Sequence, residues 1–124
     1  MARKKKGRPV HGWVVLDKPA GMTSTHAVAV IRRLFTARRA GHAGTLDPLA
    51  SGVIVVCIGA GTRLIRFVQQ MPKCYRATFL LGRSSPTDDT EQAPLLLAYP
   101  PRPTGAEIAA LLPKFVGEIE QCPP

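Results

Sequence analysis

One loop carries the residues whose types and spacing could do chemistry. It spans residues 41–52, reads GHAGTLDPLASG, and contains His42 and Asp47. Pro48 restricts Asp47 to extended conformations, so the carboxylate is presented from a stiffened segment. A positioned carboxylate can act as a nucleophile or as a base. Asp-Pro is also a common turn, and glycine-rich loops are often only loops, so local chemistry leaves both interpretations open.

Few other groups are available for catalysis. Asp17 and Asp47 are the only carboxylates before residue 88, so a paired-carboxylate mechanism has few candidates. The three histidines lack metal-ligand spacing, and the three cysteines form no CxxC pair. The sequence contains no nucleophile elbow, P-loop or dinucleotide fingerprint. We therefore expect no metal site, and a single positioned aspartate remains.

The charge of the chain indicates a polyanionic partner. The 124 residues carry a net charge of +9, and residues 1–76 hold 14 Lys and Arg against two acidic residues. The excess persists beyond a basic tail, residues 1–9, which is predicted to be disordered. RNA or DNA is therefore favoured over a membrane surface. No apolar run is long enough to span a bilayer, and the odd, separated cysteines favour a reducing cytoplasm.

The elements that must position the loop follow from apolar patterning and capping residues. The sequence predicts, in chain order, strand 12–17, a helix capped within 23–25 and ending near 35, strand 53–58, helix 62–70, strand 74–81, a helix from 104 and a strand from 118. The continuous apolar run 53–58 is typical of a strand buried on both faces. Thr104 and Glu107 match a capping box. Strands and helices without strict alternation favour an α+β fold.

The loop resembles the catalytic-loop motif of the TruB-type tRNA pseudouridine synthases. DKPAGMTS at residues 17–24 resembles the preceding motif of that family, and KCYRA at residues 73–77 continues the match in order. FVGEIEQCPP at residues 115–124 is similar to the segment before a further motif-bearing strand. The resemblance implies an α+β catalytic domain over residues 10–124, with a mixed, largely antiparallel sheet and flanking helices.

Two features depart from that family. The loop matching residues 84–92 usually has several Thr-Asp steps and a closing Gly, whereas this chain has Ser84, Ser85, Pro86 and Gln92. TruB-type enzymes are also much longer, so the chain is interpreted as the N-terminal part of the catalytic domain. The remainder would supply the Arg that pairs with the catalytic Asp, and residues 1–124 alone are expected to be inactive.

The resemblance implies an isomerase that converts uridine to pseudouridine at position 55, in the T-loop of tRNA. The reaction breaks a C–N glycosidic bond, rotates the uracil and rejoins it through carbon, so no cofactor or metal is needed. Asp47 is the implied catalytic carboxylate, acting at C1′ or C6 as a nucleophile or as a base on a glycal route. The expected partner is the T-arm of tRNA, and the full-length enzyme is expected to be a cytoplasmic monomer without membrane attachment.

Other residues match the family in supporting roles. Tyr75 matches a tyrosine that stacks on the target base, and His42 a histidine that fills the gap left by the flipped nucleotide. Lys18 belongs to a motif that shapes the site and is expected to contact a backbone phosphate. The tRNA arm is expected to lie against Arg32, Arg33, Arg38 and Arg39. The alternatives are a core tyrosine, a loop histidine bonded to backbone, a solvated lysine and a solvated helix end.

Two other functions stay open. One is the guide-RNA-dependent relative that modifies ribosomal RNA, although Leu49, Ala50 and Ser51 look closer to the stand-alone tRNA type. The other is a non-catalytic RNA-binding or RNA-folding protein. An isomerisation assay on tRNA transcripts separates the enzyme from the binding protein.

Overall fold

The computed structural model describes residues 7–122, which fall into two compact units that divide between Cys74 and Tyr75. Among these residues the first unit has a three-stranded sheet and two α-helices. The second has a two-stranded sheet and one α-helix. Every pairing within the two sheets is antiparallel. The α+β architecture expected from the sequence is therefore confirmed.

The elements of the first unit agree closely with the predicted ones. They are β1 (Gly12–Lys18), α1 (Ser24–Leu34), β2 (Ala40–His42), β3 (Gly52–Ile58), a 3-10 turn (Gly59–Leu64) and α2 (Ile65–Gln69). The predicted strands 12–17 and 53–58 are confirmed, as is the helix that ends near residue 35. The predicted helix 62–70 is instead divided between the 3-10 turn and α2. The short strand β2 was not predicted.

The sheet of the first unit has the order β1-β3-β2. Lys18, at the end of β1, pairs with Gly52 at the start of β3, and Gly12 pairs with Ile58 at the opposite end. His42 of β2 pairs with Val56. The loop that follows β2 therefore leaves the sheet at the end where β1 finishes and β3 begins.

Helix α1 covers one face of this sheet. Thr23 is its N-cap, and the Thr23 hydroxyl accepts a hydrogen bond from the backbone N–H of His26. Ile31 of α1 packs in a buried cluster with Ala37, Val56 and Ile58. Full burial of such side chains contributes about 1.5–3 kcal/mol each, so this cluster anchors the sheet to the helix.

The opposite face of the sheet is exposed towards the start of β3. Val15 is 70% exposed and Val53 is 68% exposed, whereas Cys57, on the same face near the end of β3, is fully buried. The prediction that the run 53–58 is buried on both faces is therefore wrong at Val53. Side chains alternate along a strand, so Ile54 and Val56 turn towards α1 while Val53 turns away from it.

The second unit contains β4 (Arg83–Ser84), β5 (Leu95–Leu96), α3 (Gly105–Leu111) and a 3-10 turn (Leu112–Phe115). The predicted capping box of α3 is confirmed, with reciprocal bonds between Thr104 and Glu107. Ile108 and Leu111 of α3 are 40% and 49% exposed. A seven-residue helix has little surface to bury, and the 3-10 turn that follows α3 contacts it but leaves both side chains partly exposed.

Two predicted strands are wrong. The structure has no regular element over residues 72–80, where most of the strand 74–81 was predicted. It also has none over residues 118–122, where the last strand was predicted. Alternating side chains alone do not make a strand, because its backbone N–H and C=O groups also need a pairing partner. Among the described residues neither segment is paired in a sheet.

Of the predicted disordered tail, residues 1–9, the first six residues lie outside the described residues, and residues 7–9 are described. Arg8 forms a parallel bridge with Ala37 in the segment between α1 and β2. Its backbone N–H donates to the carbonyl of Thr36 at 2.6 Å, and its carbonyl accepts from the N–H of Arg38 at 3.2 Å. The end of that basic segment is thus attached to the first unit.

Candidate active site

Asp47 lies in the loop between β2 and β3, and its side chain is exposed. The loop starts from the end of β2 and returns into the buried strand β3 at Gly52. Within the loop, the carbonyl of Asp47 accepts a hydrogen bond from the N–H of Ala50 at 3.0 Å, which closes a turn. The carboxylate is therefore accessible to a substrate, while the backbone that carries it belongs to a closed turn.

Ser24 fixes the residue before Asp47. The Ser24 hydroxyl donates to the carbonyl of Leu46 and accepts from the N–H of Leu46, both at 2.9 Å. Ser24 is the first residue of α1 and is only 3% exposed. Both backbone groups of Leu46 are thus bound by one hydroxyl, which connects the Asp47 loop to the start of a packed helix.

Gly21 fixes the residue after Asp47. Its N–H donates to the carbonyl of Pro48 at 2.7 Å. Gly21 has φ +83°, a left-handed conformation that glycine adopts readily and other residues adopt at a cost. The glycine in the motif at residues 17–24 is therefore explained by the turn that aims this N–H at the loop.

Lys18 supplies a third connection. It is completely buried, and its ammonium group donates to the carbonyls of Pro19 at 2.9 Å, Met22 at 2.6 Å and Ala50 at 2.5 Å. An ammonium group has three hydrogens, so these contacts use all of its donors. The prediction that Lys18 contacts a phosphate is contradicted, as is the alternative of a solvated lysine. Its partners are carbonyl oxygens, which no side-chain pattern reveals.

Residues 18–24 therefore act as a support for the Asp47 loop. Lys18, Gly21 and Ser24 bind loop residues on both sides of Asp47, and they are held in turn by β1 and α1. Buried hydrogen bonds of this kind each contribute about 1 kcal/mol net, and leaving their partners unpaired costs more. Such support matters for chemistry, because a displacement of about 1 Å at a reacting group can cost ~100-fold in rate.

His42 lies at the end of β2, before the loop, and is half-buried. Its Nδ1 is 2.6 Å from the carbonyl oxygen of Gly44. A carbonyl only accepts hydrogen bonds, so Nδ1 carries a hydrogen and Nε2 is the nitrogen left for another partner. The backbone contact anticipated as the structural alternative is present, and it also sets the orientation of the ring.

Tyr75 is the first residue of the second unit and is 68% exposed. The alternative of a core tyrosine is therefore not realised. Its aromatic ring has most of its surface available for contact with another molecule. The strand expected to carry it is absent, as described above.

The predicted arginine cluster divides into two pairs. Arg32 and Arg33 are exposed in the last turn of α1. Arg38 and Arg39 are exposed between α1 and β2, where they line a cavity of about 230 Å³ that the first pair does not line. The sequence grouped the four by charge and proximity along the chain, and it did not show that Ala37, which lies between the two pairs, is buried.

The sequence did not single out several residues that the structure brings to these sites. Ser24 was recognised only as one of three possible helix caps, and its bond to Leu46 joins residues 22 positions apart. The cavity also includes Arg8, Arg63 and His11, which come from separate segments. Charge type was the only available signal for Arg8 and Arg63, and it gave no indication of a shared location.

Within residues 7–122 no group of three or more His, Cys, Asp or Glu side chains is arranged to hold a metal ion. In the same part of the chain, no helix has the length and apolar character needed to cross a membrane. Burial raises the pKa of the Cys57 thiol, which favours the unreactive thiol form.

Comparison with known proteins identifies relatives of this sequence. Residues 32–124 match the family description "TruB family pseudouridylate synthase (N terminal domain)". A protein of Rhodopseudomonas palustris named tRNA pseudouridine synthase B is 56% identical over 121 residues, covering 98% of this chain and 33% of that protein. Proteins with the same name from Nitrobacter winogradskyi and Brucella ovis are 54% and 50% identical, covering 98% and 100% of this chain and 34% and 39% of those proteins. The chain thus spans about a third of the length of the curated relatives it matches.

Proposed function

The chain belongs to the TruB family of pseudouridylate synthases, and from this premise we propose that Asp47 is the catalytic carboxylate of a tRNA uridine isomerase. One observation carries the proposal. The backbone on both sides of Asp47 is bound by Ser24 and Gly21, while the carboxylate itself stays exposed. This support fixes the position of an accessible carboxylate, which a nucleophile or a base requires.

The reaction follows from the product. The N1–C1′ bond of the uridine breaks, the uracil rotates, and a C5–C1′ bond forms. The proton on C5 is lost, N1 gains a proton, and nothing is oxidised or reduced, so no cofactor takes part. Asp47 serves this sequence as a nucleophile at C1′ or C6, or as the base that removes a sugar proton on a glycal route.

Two further residues have proposed contacts with the target nucleotide. Tyr75 stacks on the flipped uracil, since it offers an exposed aromatic face, and stacking contributes about 1–3 kcal/mol per base. His42 fills the space that the flipped nucleotide leaves in the RNA. Its bond to Gly44 fixes the ring and leaves Nε2 for the nucleic acid.

We propose that the substrate is the T-arm of tRNA and the target is the uridine at position 55. The relatives support a tRNA substrate through their printed name, tRNA pseudouridine synthase B. The basic first unit supplies the complementary charge, including Arg32 and Arg33 at the end of α1. We propose that the full-length protein is a cytoplasmic monomer.

The test is an isomerisation assay on that full-length protein. Unmodified tRNA transcripts carry tritium at C5 of uridine, so formation of the C5–C1′ bond releases the label. We expect release from intact tRNA and from an isolated T-arm, and none when the uridine at position 55 is replaced by cytidine. Release from a ribosomal RNA fragment only with an added guide RNA would identify the guide-dependent relative. Tight tRNA binding without release would identify a binding protein.

A second arm tests residues 1–124 alone. We propose that this stretch does not turn over tRNA, because the Arg that pairs with the catalytic Asp in the family has no matching motif here. The stretch is first checked for a cooperative melting transition, then incubated with the same transcripts. Release at a rate comparable to that of the full-length protein would overturn this part of the proposal.

A further inference from the structure

A second site lies in the first unit, away from the Asp47 loop. A cavity of about 230 Å³ is lined by four arginines and one histidine, and by no acidic residue. The basic residues are Arg8, His11, Arg38, Arg39 and Arg63. We propose that this cavity binds a phosphate group of the RNA backbone, at a distance from the target uridine.

Three separate segments bring the arginines together. Arg8 reaches the cavity through its bridge with Ala37, and Arg63 lies in the 3-10 turn after β3. The backbone of Arg39 is fixed because its carbonyl accepts the N–H of Gly59 at 3.0 Å. Like charges gathered from separate segments repel one another unless an anion joins them, so the arrangement is suited to a bound anion.

Two of the basic side chains are oriented by contacts with backbone groups. The Nε of Arg38 donates to the carbonyl of Gly7 at 2.8 Å, which leaves its two terminal nitrogens for a ligand. The Nδ1 of His11 accepts the N–H of Ala60 at 2.9 Å, so the hydrogen of the neutral ring is on Nε2. Both side chains therefore keep hydrogen-bond donors available after their positions are set.

Gly59 permits this close arrangement. Its φ is +57°, and a Cβ at this position would overlap the carbonyl of Val10 and the Nδ1 of His11. Only glycine allows the chain after β3 to lie against the segment before β1. The wall of the cavity is therefore built from a specific backbone contact between two segments of the fold.

The chemistry of the lining points to phosphate. Guanidinium groups bind phosphate oxygens with paired N–H donors, and arginine is preferred where such geometry matters. The cavity is smaller than the roughly 300–1,000 Å³ pockets that hold drug-sized ligands, which suits one phosphodiester better than a whole nucleotide cofactor. The inference that this phosphodiester belongs to RNA rests on the proposed function.

The cavity and Asp47 lie at opposite ends of the sheet. Strand β3 begins at Gly52, beside the loop, and ends at Ile58, next to Gly59 in the cavity wall. Seven residues of strand span about 20 Å. The bound phosphate is therefore several nucleotides from the target, and its role is to orient the RNA rather than to take part in the chemistry.

The first experiment compares two double variants of the full-length protein. Arg39→Ala with Arg63→Ala removes two charges from the cavity, and Arg83→Ala with Arg102→Ala removes two from the second unit. We expect the cavity variant to bind tRNA about tenfold more weakly and to lose about one unit from the slope of log K against log salt. Its kcat at saturating tRNA stays unchanged while KM rises, and the control variant matches the wild type. Equal behaviour of the two variants would overturn the proposal.

The second experiment changes the RNA instead of the protein, so its main result, measured on the wild type, does not depend on the folding of a variant. Single phosphates of the tRNA are replaced in turn by uncharged methylphosphonates. We expect one position, several nucleotides from the target uridine, to weaken binding as much as the cavity variant does and to have no further effect in that variant. If added inorganic phosphate weakens tRNA binding but no single methylphosphonate replacement does, the cavity is a site for free phosphate, and the proposal is overturned. If the wild type does not isomerise uridine, the proposed function is contradicted. The binding measurement does not require turnover, so it still tests the phosphate site.

Discussion

Ser24 and Leu46 form a closed hydrogen-bonded pair in which one hydroxyl binds both backbone groups of one residue, at 2.9 Å each. The pair joins the first residue of α1 to the residue before Asp47. A helix held by its own packing thus determines the position of a loop that has little packing of its own. The motif at residues 17–24 thus holds the Asp47 loop in place.

Ser24→Ala is expected to lower kcat by about 10- to 100-fold with little change in tRNA affinity. The substitution leaves the N–H and C=O of Leu46 without their partner, at a cost of about 1–3 kcal/mol, and lets the loop move. Thr25→Ala, at the exposed neighbouring position, is the control. Steady-state kinetics separate kcat from KM, and a change confined to KM would argue against a positioning role.

Lys18→Met is expected to lower the free energy of unfolding by about 2–4 kcal/mol, since it leaves buried carbonyls unpaired. Lys73→Met is a matched control, because Lys73 also donates to two carbonyls but is exposed. Lys18→Arg should not restore stability, because a planar guanidinium cannot direct its hydrogens like an ammonium. Denaturant titrations measure all three, and equal losses for Lys18 and Lys73 would contradict this assignment.

Asp47→Asn is expected to abolish turnover while tRNA affinity stays within a few-fold of the wild type. The change preserves size and removes the negative charge that either a nucleophile or a base requires. Tritium release and filter binding measure the two quantities. Pseudouridine formation at even about a hundredth of the wild-type rate would remove Asp47 from its proposed role.

The capping box of α3 is expected to weaken in acid. The backbone N–H of Thr104, and then its hydroxyl, donate to the Glu107 carboxylate and lower its pKa. A lowered pKa in the folded state means that the stabilisation is complete at neutral pH and is lost as pH falls through that lowered value. An NMR titration of the Glu107 carboxyl carbon and the Thr104 amide should show one shared transition below the ordinary pKa of a glutamate. Glu107→Gln should remove that transition, and its persistence in this variant would contradict the assignment.

Local signals in the sequence predicted local structure well. The Thr104–Glu107 spacing predicted a capping box that the structure contains, and the threonines and serine at 23–25 placed the start of α1. These features depend on residues three or four positions apart, so a single sequence contains the information needed. Asp47 was proposed from its loop and from the family motif, and its catalytic role stays a prediction.

Contacts with backbone atoms were not predictable. Lys18 was expected to bind phosphate because its charge suggests an anion, but its partners are three carbonyls that carry no sequence identity. The alternation at 74–81 predicted a strand, yet a strand also depends on a partner that its own residues do not specify. Val53 shows the same limit, because the apolar run did not reveal which face α1 leaves open.

The antiparallel register of β1 and β3 also has a consequence for folding kinetics. Lys18 and Gly52 are the paired residues closest along the chain, and Gly12 and Ile58 are the farthest apart. Closing the shortest loop costs the least chain entropy, so we expect the hairpin-like pairing to nucleate at Lys18 and Gly52 and then to zip towards Gly12. Lys18 also binds Ala50 at this end. The segment that this first pairing closes, residues 19–51, contains α1, β2 and the Asp47 loop, so the length of the Asp47 loop contributes to the entropic barrier for forming the central sheet.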